Sequence, residues 1–109
     1  WIPSARERTP ITRVEIGRVI RTARHNKGVK QIAVAAQIGL RSSSFLTHIE
    51  QGRMVPSLEL AQKLERTLDL PQNSIISLVL KYRLQEVTAM LVNEATERGV
   101  KVRVDLKFL

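Results

Sequence analysis

Residues 28–53 read GVKQIAVAAQIGLRSSSFLTHIEQGR, and the fold turns on how this stretch divides. Gly28 and Gly39 punctuate it. Between them Ile32, Val34, Ala35 and Ile38 fall mostly on the inward side of a short helix, about residues 30–38. Ser42, Ser43 and Ser44 offer alternative N-caps for another short helix running through Ile49, with Leu46 and Ile49 at its buried positions. Two helices cross steeply only if their contact residues are small and the turn accepts a left-handed backbone. Ala35 and Gly39 meet those two demands.

Helical patterns extend on both sides. Upstream, Thr12 with Glu15 three residues on makes a capping box, and Ile16, Val19, Ile20 and Ala23 follow on one face. Downstream, residues 52–56 form a loop, and Ser57 caps a helix with Leu60, Leu64 and Leu68 at every fourth place. Pro71 breaks the chain again, after which Asn73 or Ser74 caps a last helix reaching about Arg98. Its first two turns are apolar nearly all round, at Ile75, Ile76, Leu78, Val79 and Leu80. The apolar set then narrows to Leu80, Leu84, Val87 and Leu91, spaced as in a heptad seam. After Gly99 the period changes to two. Val100, Val102, Val104, Leu106 and Phe108 alternate with Lys101, Arg103, Asp105 and Lys107, which predicts a strand.

The expected fold is therefore all-α: five helices, the last one long, with a C-terminal β-strand. Residues 1–10, with two prolines, Arg6 and Arg8, read as a basic N-terminal arm. Residues 11–70 read as the helical domain, and 71–109 as a helix and strand for dimerisation.

Composition narrows the chemistry. A chain of 109 residues with 43% apolar residues supports one small globular domain. Only 4% are aromatic, too few for a platform that stacks the bases of a single strand. Cysteine is absent, which removes disulfides, thiolate metal sites, iron–sulfur clusters and cysteine nucleophiles. His25 and His48 stand far apart without a carboxylate cluster, so no metal site is expected. Neither a nucleophile elbow nor a glycine-rich phosphate loop occurs, and neither an enzyme nor a cofactor is expected. The longest apolar run, Ile32 to Ala36, is too short to span a bilayer, and no signal-peptide pattern appears. The expectation is a soluble cytoplasmic protein.

Charge points to the partner. The net charge is +8, and residues 1–30 hold eight of the 18 Lys and Arg residues against only Glu7 and Glu15. Three quarters of the excess therefore lies in this first segment. Such asymmetry suits a polyanion, nucleic acid first among them.

Specific pieces then fall in a telling order. They are Ile16-Gly17 with Ile20 and Arg24, Gly28-Val29-Lys30-Gln31, Val34-Ala35, Ile38-Gly39-Leu40, Ile49-Glu50-Gln51-Gly52-Arg53 and Pro56-Ser57-Leu58-Glu59. Over about residues 14–70 this order resembles the Cro/phage-repressor (Xre-type) helix-turn-helix family. One spacing departs from it. Gly39 to Glu50 is eleven residues where the family usually has ten, which puts one extra residue in the turn, at Arg41 or Ser42.

The resemblance implies a domain that binds double-stranded DNA, with the N-terminal turn of a recognition helix in the major groove. Ser43, Ser44, Thr47 and His48 then become candidate base readers, although the serines equally suit simple capping. Gln31, Arg41, Ser42 and Arg53 become candidate phosphate contacts, joined by Arg6 and Arg8 of the arm. Arg24 and Glu50 are implied to form a buried structural ion pair. Leu80, Leu84, Val87 and Leu91, with Val100, Val102, Val104, Leu106 and Phe108, are the candidate dimerisation residues. The functional expectation is a sequence-specific transcriptional regulator, a repressor that binds a palindromic operator as a homodimer. The alternative is an antitoxin, whose C-terminal segment binds a toxin while the helix-turn-helix autoregulates.

Overall fold

The computed structural model of the chain describes residues 10–99. Arg6 and Arg8 of the arm lie outside the described residues, as does the strand expected at 100–109 with Val100, Val102, Val104, Leu106 and Phe108. Five helices follow one another: α1 (Arg13–Lys27), α2 (Gln31–Gln37), α3 (Ser44–Glu50), α4 (Leu58–Thr67) and α5 (Ser74–Glu97). Among the described residues there is no strand.

Helix α1 starts where the capping box places it, with the Thr12 hydroxyl accepting the Glu15 N–H at 3.2 Å. It stops at Gly28, whose φ of 73° lets its N–H turn back to the last carbonyls. The buried stripe is Ile16, Gly17, Ile20 and Ala23. Val19, expected inward, is instead 39% exposed. The reason lies in α3: α1 is rolled so that Gly17 meets that helix, which carries Val19 off the buried face.

Helix α2 is only two turns long and buries a single stripe, Val34 and Ala35, continued by Ile38. Ile32, also expected inward, lies two places before Val34 and so on the opposite side, 55% exposed. Gly39 closes the helix with φ 85°, and the Leu40 N–H reaches back to the Ala35 carbonyl at 2.8 Å. The turn then continues through residues 41–43 before α3 begins. Ser43 holds the N-cap position of α3 without a side-chain cap bond. Instead the Ser42 hydroxyl accepts the Ser44 N–H at 3.4 Å. Leu46 and Ile49 are fully buried, as their spacing required.

Ser57 caps α4 by accepting the Leu60 N–H at 3.1 Å. The buried stripe of α4 is Ala61, Leu64, Glu65 and Leu68, with Leu60 at its margin. Helix α5 is not capped by the side chain of Asn73 or Ser74, as the sequence had suggested. The buried carboxylate of Glu65 does that work, accepting the N–H groups of Asn73 (2.9 Å), Ile75 (2.7 Å) and Ile76 (2.9 Å). An ionised acceptor bonds more strongly than a neutral one, and three converging donors satisfy its lone pairs.

One core joins all five helices, built on Ile16, Ile20, Val34, Leu46, Ile49, Leu64, Ile75 and Val79. The opening turns of α5 belong to it, packed on α4 and α1. Past Gln85 no residue of α5 is buried. At 3.6 residues per turn, Leu80, Leu84, Val87 and Leu91 lie on the side of α5 away from Ile75 and Val79, and all four are exposed.

Candidate nucleic-acid interface

The position of α3 on the domain is set first by backbone contact. A β-carbon at Gly17 would fall on the Ile49 carbonyl oxygen and lie 2.8 Å from that of Glu50. The two helices therefore touch through main chain at this point. Gly52, with φ 77° just after α3, is also close to Val14, where an added β-carbon would stand 2.8 Å from its side chain. Both ends of the contact between α1 and α3 thus depend on glycine.

A polar network then fixes the orientation of α3. Arg24 of α1 meets Glu50 in a two-pronged ion pair, Nε to Oε2 at 2.8 Å and Nη2 to Oε1 at 3.0 Å. The side chains are 12% and 3% exposed, so the sequence-based pair is present and nearly buried. Arg24 also donates to the Val29 carbonyl at 3.0 Å, holding the turn into α2. Gln31 donates to Glu50 Oε1 at 3.2 Å and accepts from the Thr47 hydroxyl at 2.9 Å. The Thr47 hydroxyl also has the Ser43 carbonyl within reach at 3.0 Å. Arg24, Glu50, Gln31 and Thr47 are therefore one chain of contacts linking α1, α3 and α2. Two of these, Gln31 and Thr47, are residues to which the sequence assigned DNA contacts; both face inward to this network at least in part.

The outer face of α3 carries the remaining candidates. Ser44 is exposed, Ser43 and His48 are half-buried, and Arg41 and Ser42 are exposed in the turn that precedes the helix. Arg53 is exposed in the loop after α3, and its Nη1 stands 3.4 Å from His48 Nδ1. This pairing joins a candidate base reader to a candidate phosphate contact.

Arg13 is an addition that sequence reasoning missed. Its Nη1 reaches the Arg53 carbonyl at 3.5 Å, which brings the first turn of α1 beside the loop after α3. The root of the arm is fixed nearby. The Gln85 side chain of α5 accepts the Ile11 N–H and donates to the Ile11 carbonyl, each at 2.9 Å. The chain thus enters α1 between α5 and the Arg13–Arg53 corner. No periodicity marks Arg13, since it stands outside the buried stripe and its neighbour is forty residues away.

Phe45 was also missed. It is the second residue of α3 and is 39% exposed, while Leu46 and Ile49 of the same helix are completely buried. Glu65, by contrast, had a legible signal. It shares the inward stripe of Ala61, Leu64 and Leu68, where an acid needs buried donors.

Among the described residues no helix is long and apolar enough to cross a membrane. No curated protein matches the chain. Residues 15–75, more than half of it, match the family described as a helix-turn-helix domain. That span runs from the first turn of α1 to the start of α5 and contains every element of the network around Arg24 and Glu50. The chain belongs to the helix-turn-helix domain family, with α2, the turn at Gly39 and α3 as its helix-turn-helix.

Proposed function

We propose that the protein is a sequence-specific regulator of transcription that binds double-stranded DNA, a repressor acting as a homodimer on a palindromic operator. The observation that carries this reading is the presentation of α3. Its inward side is locked by Gly17 and the Arg24–Glu50 pair, while Ser44, His48 and the preceding Arg41 are left on the outside. A short helix held this rigidly, with polar residues on its first turns, suits insertion into a major groove.

Arg41 before α3 and Arg53 with Arg13 after it flank that helix, in positions suited to the phosphates on either side. Ser42 and Gln31 are further candidates for phosphate contact, Gln31 while still bonded to Glu50. Ser43 and Thr47 act through the geometry of the first turn as much as through bases. Arg6 and Arg8 follow the same logic, since the arm departs from a root beside the Arg13–Arg53 corner. Basic arms of this kind settle in narrow A·T-rich minor grooves.

The homodimer rests on α5. Its seam of Leu80, Leu84, Val87 and Leu91 has no cover within the described residues. A second copy of the same helix would cover it across a two-fold axis. Two recognition helices would then sit about one DNA turn apart, roughly 34 Å.

A nuclease footprint on the DNA flanking the protein's own gene tests the whole reading. Two protected patches one turn apart are expected, fading steeply as salt is raised. Failure to protect any duplex overturns it. Protection by a protein that sediments as a monomer would instead favour the antitoxin alternative, with the seam given to a different protein.

A further inference from the structure

We infer that Phe45 reads a thymine through its C5-methyl group, so that one position in each half-site is selected by apolar contact and not by hydrogen bonding. The inference rests on the DNA-binding reading above and names what that surface recognises.

Phe45 occupies the second position of α3, in the turn that would enter the groove. It is the one apolar residue of α3 left exposed, at 39%, beside Leu46 and Ile49, which are wholly buried. Next to it in sequence Ser44 is exposed, and His48, three residues on, is half-buried. Across Ser44–Glu50 there is no Arg, Lys, Asn or Gln, the side chains that make two-pronged bonds to guanine or adenine. Thr47, the nearest polar alternative, is bonded to Gln31. The side chains of α3 neither buried nor tied into that network are Ser44, His48 and Phe45, and discrimination rests mainly on them.

The major groove offers one apolar feature, the methyl group of thymine, and a phenyl ring is among the groups that pack on it. Burying the ring edge and the methyl together removes apolar surface from water on both partners. A methyl contact also discriminates: cytosine lacks it, and a purine at that place puts a polar edge against the ring.

The test uses the full chain and an operator selected from a random duplex pool. Each thymine is replaced in turn by deoxyuridine, which removes only the methyl and leaves base pairing intact. One thymine per half-site should prove sensitive, with affinity falling roughly fourfold for each methyl removed. Phe45→Ala should bind the thymine and deoxyuridine duplexes equally, with an unchanged salt dependence. If Phe45→Ala does not fold, Phe45→Gln carries the same comparison and should shift the preferred base at that position toward adenine.

A selected operator with no deoxyuridine-sensitive thymine overturns the inference while leaving DNA binding standing. Sensitivity that persists in the Phe45 variants also overturns it, because another group or the duplex shape then reads the methyl. Failure to select any duplex overturns the DNA-binding reading itself, and this inference with it.

Discussion

Gly17 of α1 and Ile49 of α3 meet through backbone, with the Ile49 carbonyl oxygen too close to leave room for a β-carbon at Gly17. Helix α3 is thus seated directly on α1. Gly17→Ala should therefore force the two helices apart. Overpacking of this kind costs about 1–3 kcal/mol, and here the obstacle is main chain, which cannot rotate away. The expected result is a melting temperature lower by roughly 4–8 °C per kcal/mol lost, read by circular dichroism. A variant that melts with the parent protein would show that the contact relaxes at no cost.

Glu50→Ala should be more damaging than its single contact suggests. It leaves Arg24 almost buried without its partner and cuts Gln31 loose from α3. Breaking one side of a buried pair costs about 3–5 kcal/mol. His48→Ala, at the surface of the same helix, should leave melting nearly unchanged and alter the preferred base. Equal stability losses in the two variants would contradict the division of α3 into a structural and a reading side.

Glu65→Ala should loosen α5 specifically. Three N–H groups at the helix start lose their acceptor, at a cost of about 1–3 kcal/mol for a group left unsatisfied. Amide hydrogen exchange at Ile75 and Ile76 should accelerate before that of Ile20 in α1. Uniform acceleration across the domain would mean that α5 does not open separately.

Arg53→Ala and Arg13→Ala probe the flank of the interface. Each should flatten the plot of log affinity against log salt by about one unit per lost phosphate contact, or about two in a dimer. Base preference should stay as it was. A variant with the parent slope identifies a residue that makes no phosphate contact.

In the proposed homodimer the seam of α5 carries the assembly. Leu84→Lys combined with Leu91→Lys should weaken self-association by at least about tenfold, since two apolar groups per protomer lose their cover. Sedimentation at micromolar concentration reads the effect. The melting of the domain should hardly change, because both residues are exposed on the side of α5 away from the core.

Read by itself, the sequence determined what local chemistry controls. Thr12, Ser57, Gly28 and Gly39 act within a few residues of themselves, so they mark helix ends that the fold reproduces. Leu46 and Ile49 followed from helical spacing read with the resemblance, and Arg24 with Glu50 from the resemblance. Tertiary structure decided the rest. A helix can be rolled about its axis without changing its pattern, and the contact at Gly17 turned Val19 outward. Glu65, capping a helix that begins nine residues later, is a donor–acceptor match between two elements that only packing brings together. The same holds for Arg13 at Arg53 and Gln85 at Ile11, which are neighbours across forty and seventy-four residues. Periodicity records which residues avoid water, whereas the meeting of particular polar groups depends on how the helices are finally seated.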